Sequence, residues 1–359
     1  MAAPGGAAPR ARERHRRTAD GPAQEGRSMS SVAQTPHLRA LGLVGALILD
    51  RVLGQPRAHP VRAIGALLGS ARRMRLSRRP LGSLVEGATG LALVAGVAAV
   101  GVRVLSPPPR RSSPDSSPSR IAATLMAAGR EALVLHPSLA LEALAEAGTR
   151  VGAALRTGDL DRARRCLARD LVSRDTRALD ESHCASAAIE SMAENLCDSV
   201  VAPACAYLAA GLPGAWVYRV VNTADAMLGY RTPDLIWYGK PAARTDDVLN
   251  FVPARLAAVL IAMASAAQPG HRDRFRPPIG DLLRRLPRES ARAAGPNAGW
   301  PMAAAALSLG VRLRKPGTYT LNGDGVAPDA RDIAAAATVI RHAAWLGVGL
   351  IAAVEACRP

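Results

Sequence analysis

A face of three carboxylates within an apolar segment is the feature that most restricts how this chain can fold. Between Arg177 and Arg219 the sequence contains no lysine or arginine. Glu190, Glu194 and Asp198 nevertheless follow one another there at four-residue spacing, which places them on one face of an α-helix, where like charges repel. Their neighbours are mostly small and apolar, so burying these carboxylates is costly unless a cation or a substrate group compensates. We therefore predict a divalent-metal site with these three side chains as its ligands.

The apolar segments of the chain are long enough for a membrane protein. Hydrophobic residues make up 49% of the 359 residues, and a helix needs about 20 consecutive apolar residues to cross a bilayer. Residues 81–105 form the clearest predicted span. Residues 200–221, 251–267 and 333–353 predict further spans or membrane-buried helices. Residues 38–49 fall short of the spanning length and predict a short, re-entrant or tilted helix.

The positive charge does not indicate a nucleic-acid-binding protein. The formal net charge is +17, but the basic residues are spread along the whole chain. Aromatic residues, which would stack on bases, make up only 3% of it. We therefore expect no nucleic-acid partner. Arginines that flank apolar segments are instead typical of a membrane protein whose basic loops stay in the cytoplasm.

The sequence divides into an extension and one membrane domain. Residues 1–37 are rich in Ala, Gly, Pro and Arg and predict a disordered basic extension. Residues 38–359 form the predicted membrane domain, which contains a Pro/Ser-rich linker at residues 106–120. Residues 121–171 have the periodicity of amphipathic helices and are too polar to span a bilayer. The predicted fold is an all-α, multi-pass integral membrane helical bundle with a cytoplasm-facing amphipathic helical region.

Polar side chains gather beside the apolar segments in pairs that suit metal and phosphate. Asp246 and Asn250 lie one helical turn apart, as do Asn222 and Asp225. Mg²⁺ prefers such oxygen ligands, with water and phosphate completing its shell, and neighbouring arginines would bind phosphate oxygens in a bidentate manner. The sequence contains neither a G-x-x-x-x-G-K-[ST] phosphate loop nor a G-x-G-x-x-G motif, so any nucleotide is held in another way. We predict a magnesium-phosphate site at a membrane surface.

A series of ordered motifs runs along the chain and carries a resemblance to a known family. The motifs are Asp50-Arg51-x-x-Gly54-x-Pro56-x-x-His59-Pro60-Val61-Arg62-x-Ile64-Gly65, Arg174-Asp175-Thr176, Glu190-Ser191-x-Ala193-Glu194-Asn195-x-x-Asp198-x-Val200-Val201-Ala202-Pro203, Tyr218-Arg219-x-x-Asn222-Thr223-x-Asp225-Ala226-Met227-x-Gly229-Tyr230-Arg231, Ala243-Arg244-x-Asp246-Asp247-x-x-Asn250-x-x-Pro253-Ala254-Arg255-Leu256 and Pro296-Asn297-Ala298-Gly299. Over about residues 40–355 the chain resembles the adenosylcobinamide-phosphate synthase family, CobD/CbiB. Three positions depart from the family pattern: Ser199 replaces an expected glycine, Gly295 an expected serine, and Gln55 a frequent aspartate.

The resemblance implies a reaction, its cofactors and its location. Members of this family condense adenosylcobyric acid with (R)-1-amino-2-propanol O-2-phosphate in an ATP-dependent amide ligation that gives adenosylcobinamide phosphate. A carboxylate must be activated by phosphoryl or nucleotidyl transfer before an amine attacks it, and Mg²⁺ neutralises the phosphate charge in that transfer. The expected cofactors are therefore ATP and Mg²⁺. The expected partners are the corrinoid, aminopropanol phosphate, the cell membrane and other cobalamin-pathway enzymes, with the active site facing the cytoplasm.

Residue chemistry and the matched motifs together suggest roles for the polar residues. Asp225, Asp246 and Asp247 are the predicted catalytic residues. Asp225 would orient a cation or accept a proton from the amine, while the other two would help Glu190, Glu194 and Asp198 hold Mg²⁺ and its nucleotide. Eight further residues are expected to bind substrate and phosphate groups or to support that binding: Arg62, Arg174, Arg219, Asn222, Arg231, Arg244, Asn250 and Arg255.

Three other functions remain open at this point. A membrane transporter would also contain intramembrane carboxylates, but it predicts inverted internal repeats, and none is apparent in the sequence. A transferase acting on an isoprenoid diphosphate would also use spaced aspartates and Mg²⁺, but with a lipid-sized apolar substrate. A scaffold for neighbouring corrinoid enzymes, without catalysis of its own, is the third.

Overall fold

The computed structural model describes residues 36–56, 58–107, 118–268 and 276–358, and helices dominate it. In the described ranges the α-helices are α1 (Pro36–Leu53), α2 (Pro60–Arg73), α3 (Pro80–Leu105), α4 (Pro118–Leu135), α5 (Leu141–Arg156), α6 (Leu160–Asp170), α7 (Glu181–Leu196), α8 (Ala202–Leu228), α9 (Lys240–Leu249), α10 (Phe251–Ala266), α11 (Ile279–Ser290), α12 (Gly299–Leu309) and α13 (Ala330–Ala356). Two three-residue strands, β1 (Leu313–Lys315) and β2 (Tyr319–Leu321), form an antiparallel hairpin. The prediction of a helical fold is confirmed apart from this hairpin.

Three helical stretches of the described chain are long and apolar enough to cross a membrane. They are α3, the continuous stretch Glu181–Leu228 and α13. The pair α9 and α10, bent by 47° at its break, would add a fourth if it acts as one span. Large apolar side chains on α3 are open to the surroundings, among them Leu93 and Val104 at 66% and 74% exposure, as expected for a helix that faces lipid. These helices fit a membrane protein, whereas the number of spans and the cytoplasmic orientation stay predictions.

The ends of several helices differ from the predicted segments. The first helix begins at Pro36 and runs to Leu53, so it is longer than the predicted residues 38–49 and includes the last two residues of the predicted extension. Residues 1–35 of that extension lie outside the described residues, as do residues 108–117 of the predicted linker. The predicted span at residues 200–221 belongs to a longer stretch, because the helix that carries Glu190 continues into it.

The stretch from α7 to α8 is irregular at two places. A π turn, Cys197–Val201, joins the two helices, and Asp198 lies in this turn and not in the regular α-helix that the four-residue spacing predicts. Single π turns within α-helices are frequently found at functional sites. Farther along, α8 breaks at Ala210 and Gly211, where Gly211 has a φ of +64° that favours glycine, and Pro213 follows.

The core is built around α7, which contacts α5, α12 and α13. Ala188, Ile189 and Met192 are fully buried on it. Small residues allow this close packing, because a Cβ at Gly148 of α5 would lie 2.2 Å from the Met192 sulfur. The central position of α7 explains how carboxylates on an apolar helix come to be surrounded by protein instead of lipid.

Gln55, one of the departures from the family pattern, joins α1 to the start of α5. Its Nε2 donates to Oδ1 of the buried Asp50 at 2.5 Å and to the Leu139 carbonyl oxygen at 2.6 Å. Its Oε1 lies 2.8 Å from His59 Nε2. The other Asp50 oxygen accepts the Glu142 backbone N–H at 2.9 Å. An ionised aspartate at position 55 could not donate to Leu139 and would face Asp50 as a like charge, so the amide suits this contact.

Candidate active site

Four elements of the chain bring the predicted carboxylates together. Glu194 comes from α7, Asp198 from the π turn, Asp225 from the last turn of α8, and Asp246 and Asp247 from α9. The chain reverses between α8 and α9, which pack against each other. All five carboxylates therefore line one cavity of about 230 Å³, which we call the acidic cavity.

The acidic cavity holds a strong excess of negative charge. Asn250 and residues 294–298 are also part of its lining, and none of the described residues that line it is a lysine or an arginine. Asn297 donates from Nδ2 to the Asp247 carbonyl oxygen at 2.7 Å, while its Oδ1 is buried without a hydrogen-bond partner among the described residues. Bringing unpaired like charges together in a partly buried site is costly, and a bound cation would offset that cost.

The donor set of this cavity suits Mg²⁺ held jointly with a substrate. All its charged groups are oxygen ligands, which Mg²⁺ prefers, and Mg²⁺ usually keeps several waters or phosphate oxygens in its shell. Within the described part of the chain, no group of three or more His, Cys, Asp or Glu side chains is arranged closely enough to form a metal site by itself. The prediction that Glu190, Glu194 and Asp198 form a metal site thus remains a prediction, and Glu190 lies outside the acidic cavity lining.

Asp246 is the most firmly oriented carboxylate of this cavity. Asn250 donates to its Oδ2 at 2.9 Å, and Asn222 donates to its Oδ1 at 3.4 Å. The Tyr218 hydroxyl in turn donates to Asn250 Oδ1 at 3.0 Å. The two asparagines, predicted to bind or support substrate, therefore hold Asp246 in place and also contribute to the cavity linings.

A second cavity of about 460 Å³ lies beneath the β hairpin and is called the hairpin cavity. It shares Glu194, Asp198 and Asp225 with the acidic cavity. Its other charged and aromatic lining residues are Arg174, Glu190, Tyr230, Lys315 and Tyr319. Because three carboxylates border both cavities, ligands in the two cavities would lie side by side.

Glu190 and Glu194 have different environments although both lie on α7. Glu190 accepts hydrogen bonds from Ser186 Oγ at 2.8 Å and from the Tyr319 hydroxyl at 2.9 Å, and Arg174 lies 3.8 Å away. Burial and the nearby Glu190 carboxylate raise the pKa of Tyr319, so its hydroxyl remains a donor at neutral pH. Glu194 accepts no hydrogen bond from the described residues. Glu190 therefore anchors the hairpin, whereas Glu194 is free to act on a ligand.

Arg174 also has unused hydrogen-bonding capacity. The neighbouring Asp175 is engaged by Arg177, whose guanidinium donates to it at 2.7 Å and lowers the pKa of Asp175 to about 2. Asp175 is thus not the partner of Arg174. The Arg174 Nε is buried and lacks a hydrogen-bond partner among the described residues. A ligand anion in the hairpin cavity would find this guanidinium only weakly engaged, by Glu190.

A third cavity of about 370 Å³ lies beside the segment between α8 and α9 and is called the loop cavity. Its lining includes three cations, Arg231, Lys240 and Arg244, together with Tyr230 and Trp237. The Lys240 ammonium lies 4.5 Å from the centroid of the Trp237 ring. Asp247 borders both the loop and acidic cavities, and Arg244 lies 3.4 Å from it. The acidic cavity therefore adjoins both the hairpin cavity and the loop cavity, and each of these two contains basic side chains.

Three predicted phosphate-binding arginines are not brought into these cavities. Arg62 is exposed on α2. Arg255 stacks on the rings of Phe251 and Trp300, with centroid distances of 3.6 and 4.6 Å. Arg219 is buried and donates to the Ser138 carbonyl oxygen at 2.6 Å and to Asn222 at 3.5 Å. Arg219 thus holds Asn222 by a hydrogen bond without lining any of the three cavities itself. Phosphate binding by Arg62, Arg219 and Arg255 stays a prediction.

Sequence reasoning missed several residues of these cavities. They are Tyr230, Trp237, Lys240, Asn297, Lys315 and Tyr319. One signal for two of them was available. The chain carries 46 lysine and arginine residues, and only two of them, Lys240 and Lys315, are lysines. Both line a cavity next to the acidic one.

The two other departures from the family pattern have different structural settings. Ser199 is buried in the π turn and is not among the residues that line the three cavities, so its side chain does not crowd them. Gly295 lines the acidic cavity and has a φ of +85°. That conformation favours glycine over a residue with a Cβ.

Gly295→Ser, which introduces the serine expected from the family pattern, should lower the free energy of unfolding by about 1–2 kcal/mol, the usual cost of a left-handed conformation for a residue with a Cβ. No atom would obstruct the new side chain, since nothing lies within 4 Å of a Cβ built there. Thermal unfolding in detergent measures the effect. Gly323→Ser is the matched control, because that position is equally open and lacks a positive φ. Equal melting temperatures for both variants would contradict the argument.

The fold and site define a largely helical protein with membrane-spanning potential and an acidic site flanked by cations. The family model described as CobD/Cbib protein matches residues 43–346. The cobalamin biosynthesis protein CobD of Stutzerimonas stutzeri is 38% identical over 321 residues, covering 86% of this chain and 94% of that protein. The probable cobalamin biosynthesis protein CobD of Methanothrix thermoacetophila is 34% identical, covering 86% and 95% of the respective chains. No solved structure matches the chain.

These similarities extend over most of this chain and of its relatives. The chain belongs to the CobD/CbiB family, and the resemblance found in its motifs is confirmed.

Proposed function

We propose that this protein acts in cobalamin biosynthesis by joining adenosylcobyric acid to (R)-1-amino-2-propanol O-2-phosphate in an ATP-dependent amide ligation that gives adenosylcobinamide phosphate. One observation carries the proposal. The family motifs at residues 190–203, 218–231 and 243–256 supply carboxylates from separate helices to one cavity, and the two cavities that adjoin it contain basic side chains. Such an arrangement suits a reaction that brings a phosphorylated amine, a nucleotide and a carboxylic acid together.

The chemistry needs an activated acid. A corrinoid carboxylate oxygen takes a phosphoryl or adenylyl group from ATP, and the bond between that group and the rest of the nucleotide breaks, which releases ADP or pyrophosphate respectively. The amine nitrogen then attacks the carbonyl carbon, a C–N bond forms, and the activated C–O bond breaks with release of phosphate or AMP. The amine loses protons in the process. Mg²⁺, when bound, would neutralise phosphate charge during the first transfer.

Individual residues fit parts of this scheme. Asp225 borders both the acidic and hairpin cavities and is placed to accept a proton from an amine in the latter. Asp246 and Asp247, with Glu194 and Asp198, would hold Mg²⁺. Arg231 and Arg244 in the loop cavity would bind phosphate oxygens.

The proposed location is the cell membrane with the site open to the cytoplasm. ATP and the corrinoid are soluble there, and the apolar helices α3 and α13 would anchor the protein. A transporter or a scaffold has no specific observation in its favour, so both serve as outcomes of the experiment below.

Detergent-solubilised protein should convert adenosylcobyric acid and aminopropanol phosphate to a corrinoid whose mass corresponds to amide formation. We expect product only with ATP, and product formation should fall to background when EDTA exceeds Mg²⁺ and return when Mg²⁺ is restored. Mass spectrometry of the corrinoid gives the measurement. A folded protein that binds the corrinoid without forming product would contradict the ligase and favour a scaffold. A folded protein that does not bind it at all would favour the transporter.

A further inference from the structure

The two lysines of the chain each line a different cavity that adjoins the acidic cavity. Lys315 lines the hairpin cavity and Lys240 lines the loop cavity. Arginine supplies nearly every other cation of this protein, so a surface position that needs only positive charge is occupied here by arginine. Lysine differs in carrying a compact point charge with three rotatable donors, whereas arginine presents a large planar fork. Its use at these two cavities points to a ligand group that a compact ammonium contacts.

Two contacts of the hairpin with α7 fix the position of Lys315, one through the preceding residue and one through its cross-strand partner. The Arg314 backbone N–H donates to Ser186 Oγ of α7 at 2.6 Å, and Lys315 pairs with Tyr319, whose hydroxyl donates to Glu190. Within the described part of the chain, Lys315 itself makes no ion pair. Its ammonium therefore faces the hairpin cavity from a rigid support and remains available for a ligand anion, as does the buried Nε of Arg174.

The charges of the two flanking cavities differ in kind. The loop cavity has three cations and one carboxylate, Asp247, which lies beside Arg244. It therefore carries a net positive charge and suits a polyanion. The hairpin cavity contains both cations, Lys315 and Arg174, and carboxylates that form no ion pair within 4 Å among the described residues, Glu194 and Asp225. Such a cavity suits a small molecule with an anionic end and a cationic end.

We propose that the hairpin cavity is the subsite for a short primary amine that carries a phosphate ester, with the phosphate at Lys315 and Arg174 and the ammonium at Asp225. This assignment rests on the proposed function, in which aminopropanol phosphate is such a molecule. The phosphates of the nucleotide are then left to the loop cavity. The ammonium gives one proton to Asp225 before the nitrogen attacks the activated carbonyl carbon, and the nitrogen loses a second proton to solvent as the amide forms.

Steady-state kinetics of Lys315→Met test the assignment. We expect the KM for aminopropanol phosphate to rise by about 10- to 100-fold, which corresponds to losing one hydrogen bond between charged groups, while the KM for ATP changes less than about twofold. Lys315→Arg should recover part of the loss. Lys240→Met should show the converse pattern, with a raised KM for ATP. Arg312→Met, a nearby exposed cation on the same segment, is the matched control and should leave both constants unchanged.

Unphosphorylated 1-amino-2-propanol isolates the contribution of the phosphate. Lys315→Met and the unmodified protein should use this amine with equal kcat/KM, because the group that Lys315 contacts is missing. Equal losses with both amines, or a rise in the KM for ATP alone, would overturn the subsite while leaving the ligase intact.

Equilibrium binding separates the subsite from the ligase. Titration calorimetry with aminopropanol phosphate alone should detect binding to the unmodified protein and weaker binding to Lys315→Met. That result would support the subsite even if no ligation were observed. Equal affinities for two folded proteins would refute it. The melting temperature of each variant in detergent confirms folding.

Discussion

Replacing Glu194 with glutamine should reduce the rate of amide ligation at least about 100-fold without unfolding the protein. Loss of an outer-shell partner of a metal already costs about 10- to 100-fold in affinity or activity, and Glu194 borders both the acidic and hairpin cavities. Glu194 accepts no hydrogen bond from the described residues, so its carboxylate supports no other side chain. Glutamine also removes one negative charge from a crowded site, so the melting temperature should stay the same or rise.

Glu181→Gln provides the control for that experiment. Glu181 lies on the same helix, is exposed, and lines none of the three cavities. Ligation rates and Mg²⁺ titrations of both variants separate a lost metal ligand from a general loss of charge on α7. Any residual activity of Glu194→Gln should require more Mg²⁺. Unchanged kinetics in Glu194→Gln would remove Glu194 from the proposed metal site.

Gly239→Ala should be among the most disruptive single-methyl changes in the described chain. A Cβ at this position would lie 1.8 Å from the Leu228 carbonyl oxygen and 2.5 Å from its carbon. These are backbone atoms, which cannot turn aside as a flexible side chain could. The backbone of Gly239 is not strained, because its φ of −82° suits any residue. The cost is therefore steric. We expect the free energy of unfolding to fall by about 3 kcal/mol, the upper part of the usual range for overpacking.

The same change should also reduce activity, because the contact lies where the end of α8 meets the start of α9. Separating the two helices moves Asp225 away from Asp246 and Asp247. Thermal unfolding in detergent and the ligation assay measure the two effects. Gly101→Ala on α3 is the control, since nothing lies within 4 Å of its Cβ and alanine favours a helix over glycine. If Gly239→Ala kept the stability and activity of the unmodified protein, the ends of α8 and α9 would separate without cost, which would contradict the prediction.

The part of the site that follows from helical spacing was predictable from sequence. The four-residue step from Glu190 to Glu194 places both on one face of α7, and the helical pair of Asp246 and Asn250 is observed as a hydrogen bond. Asp198 lines the hairpin cavity together with these two glutamates, but the spacing did not predict that it lies in a π turn. A π turn depends on how the two helices pack against their neighbours, and a four-residue spacing contains no information about it.

Contacts between distant segments account for most of the other differences. Arginine chemistry suggests phosphate binding equally for Arg174, which faces a cavity, and for Arg255, which stacks on Phe251 and Trp300. Only the tertiary structure distinguishes them. The hairpin was missed for another reason. Strands of three residues are too short for an alternating pattern to indicate them, so Lys315 and Tyr319 had no visible relation to α7.

The hairpin contact also determines when the site can be completed during synthesis. Tyr319 and Glu190 are 129 residues apart in sequence, and ribosomes add about 5–20 residues per second. Glu190 therefore leaves the ribosome on the order of ten seconds before the hydroxyl that binds it is made. During that interval α7 must pack against the rest of the chain while Glu190 lacks the hydrogen bond from Tyr319. The hairpin is thus needed to finish a centre whose carboxylates were all translated before it. A nascent chain that stops before the hairpin lacks both Lys315 and the Tyr319 hydroxyl that binds Glu190.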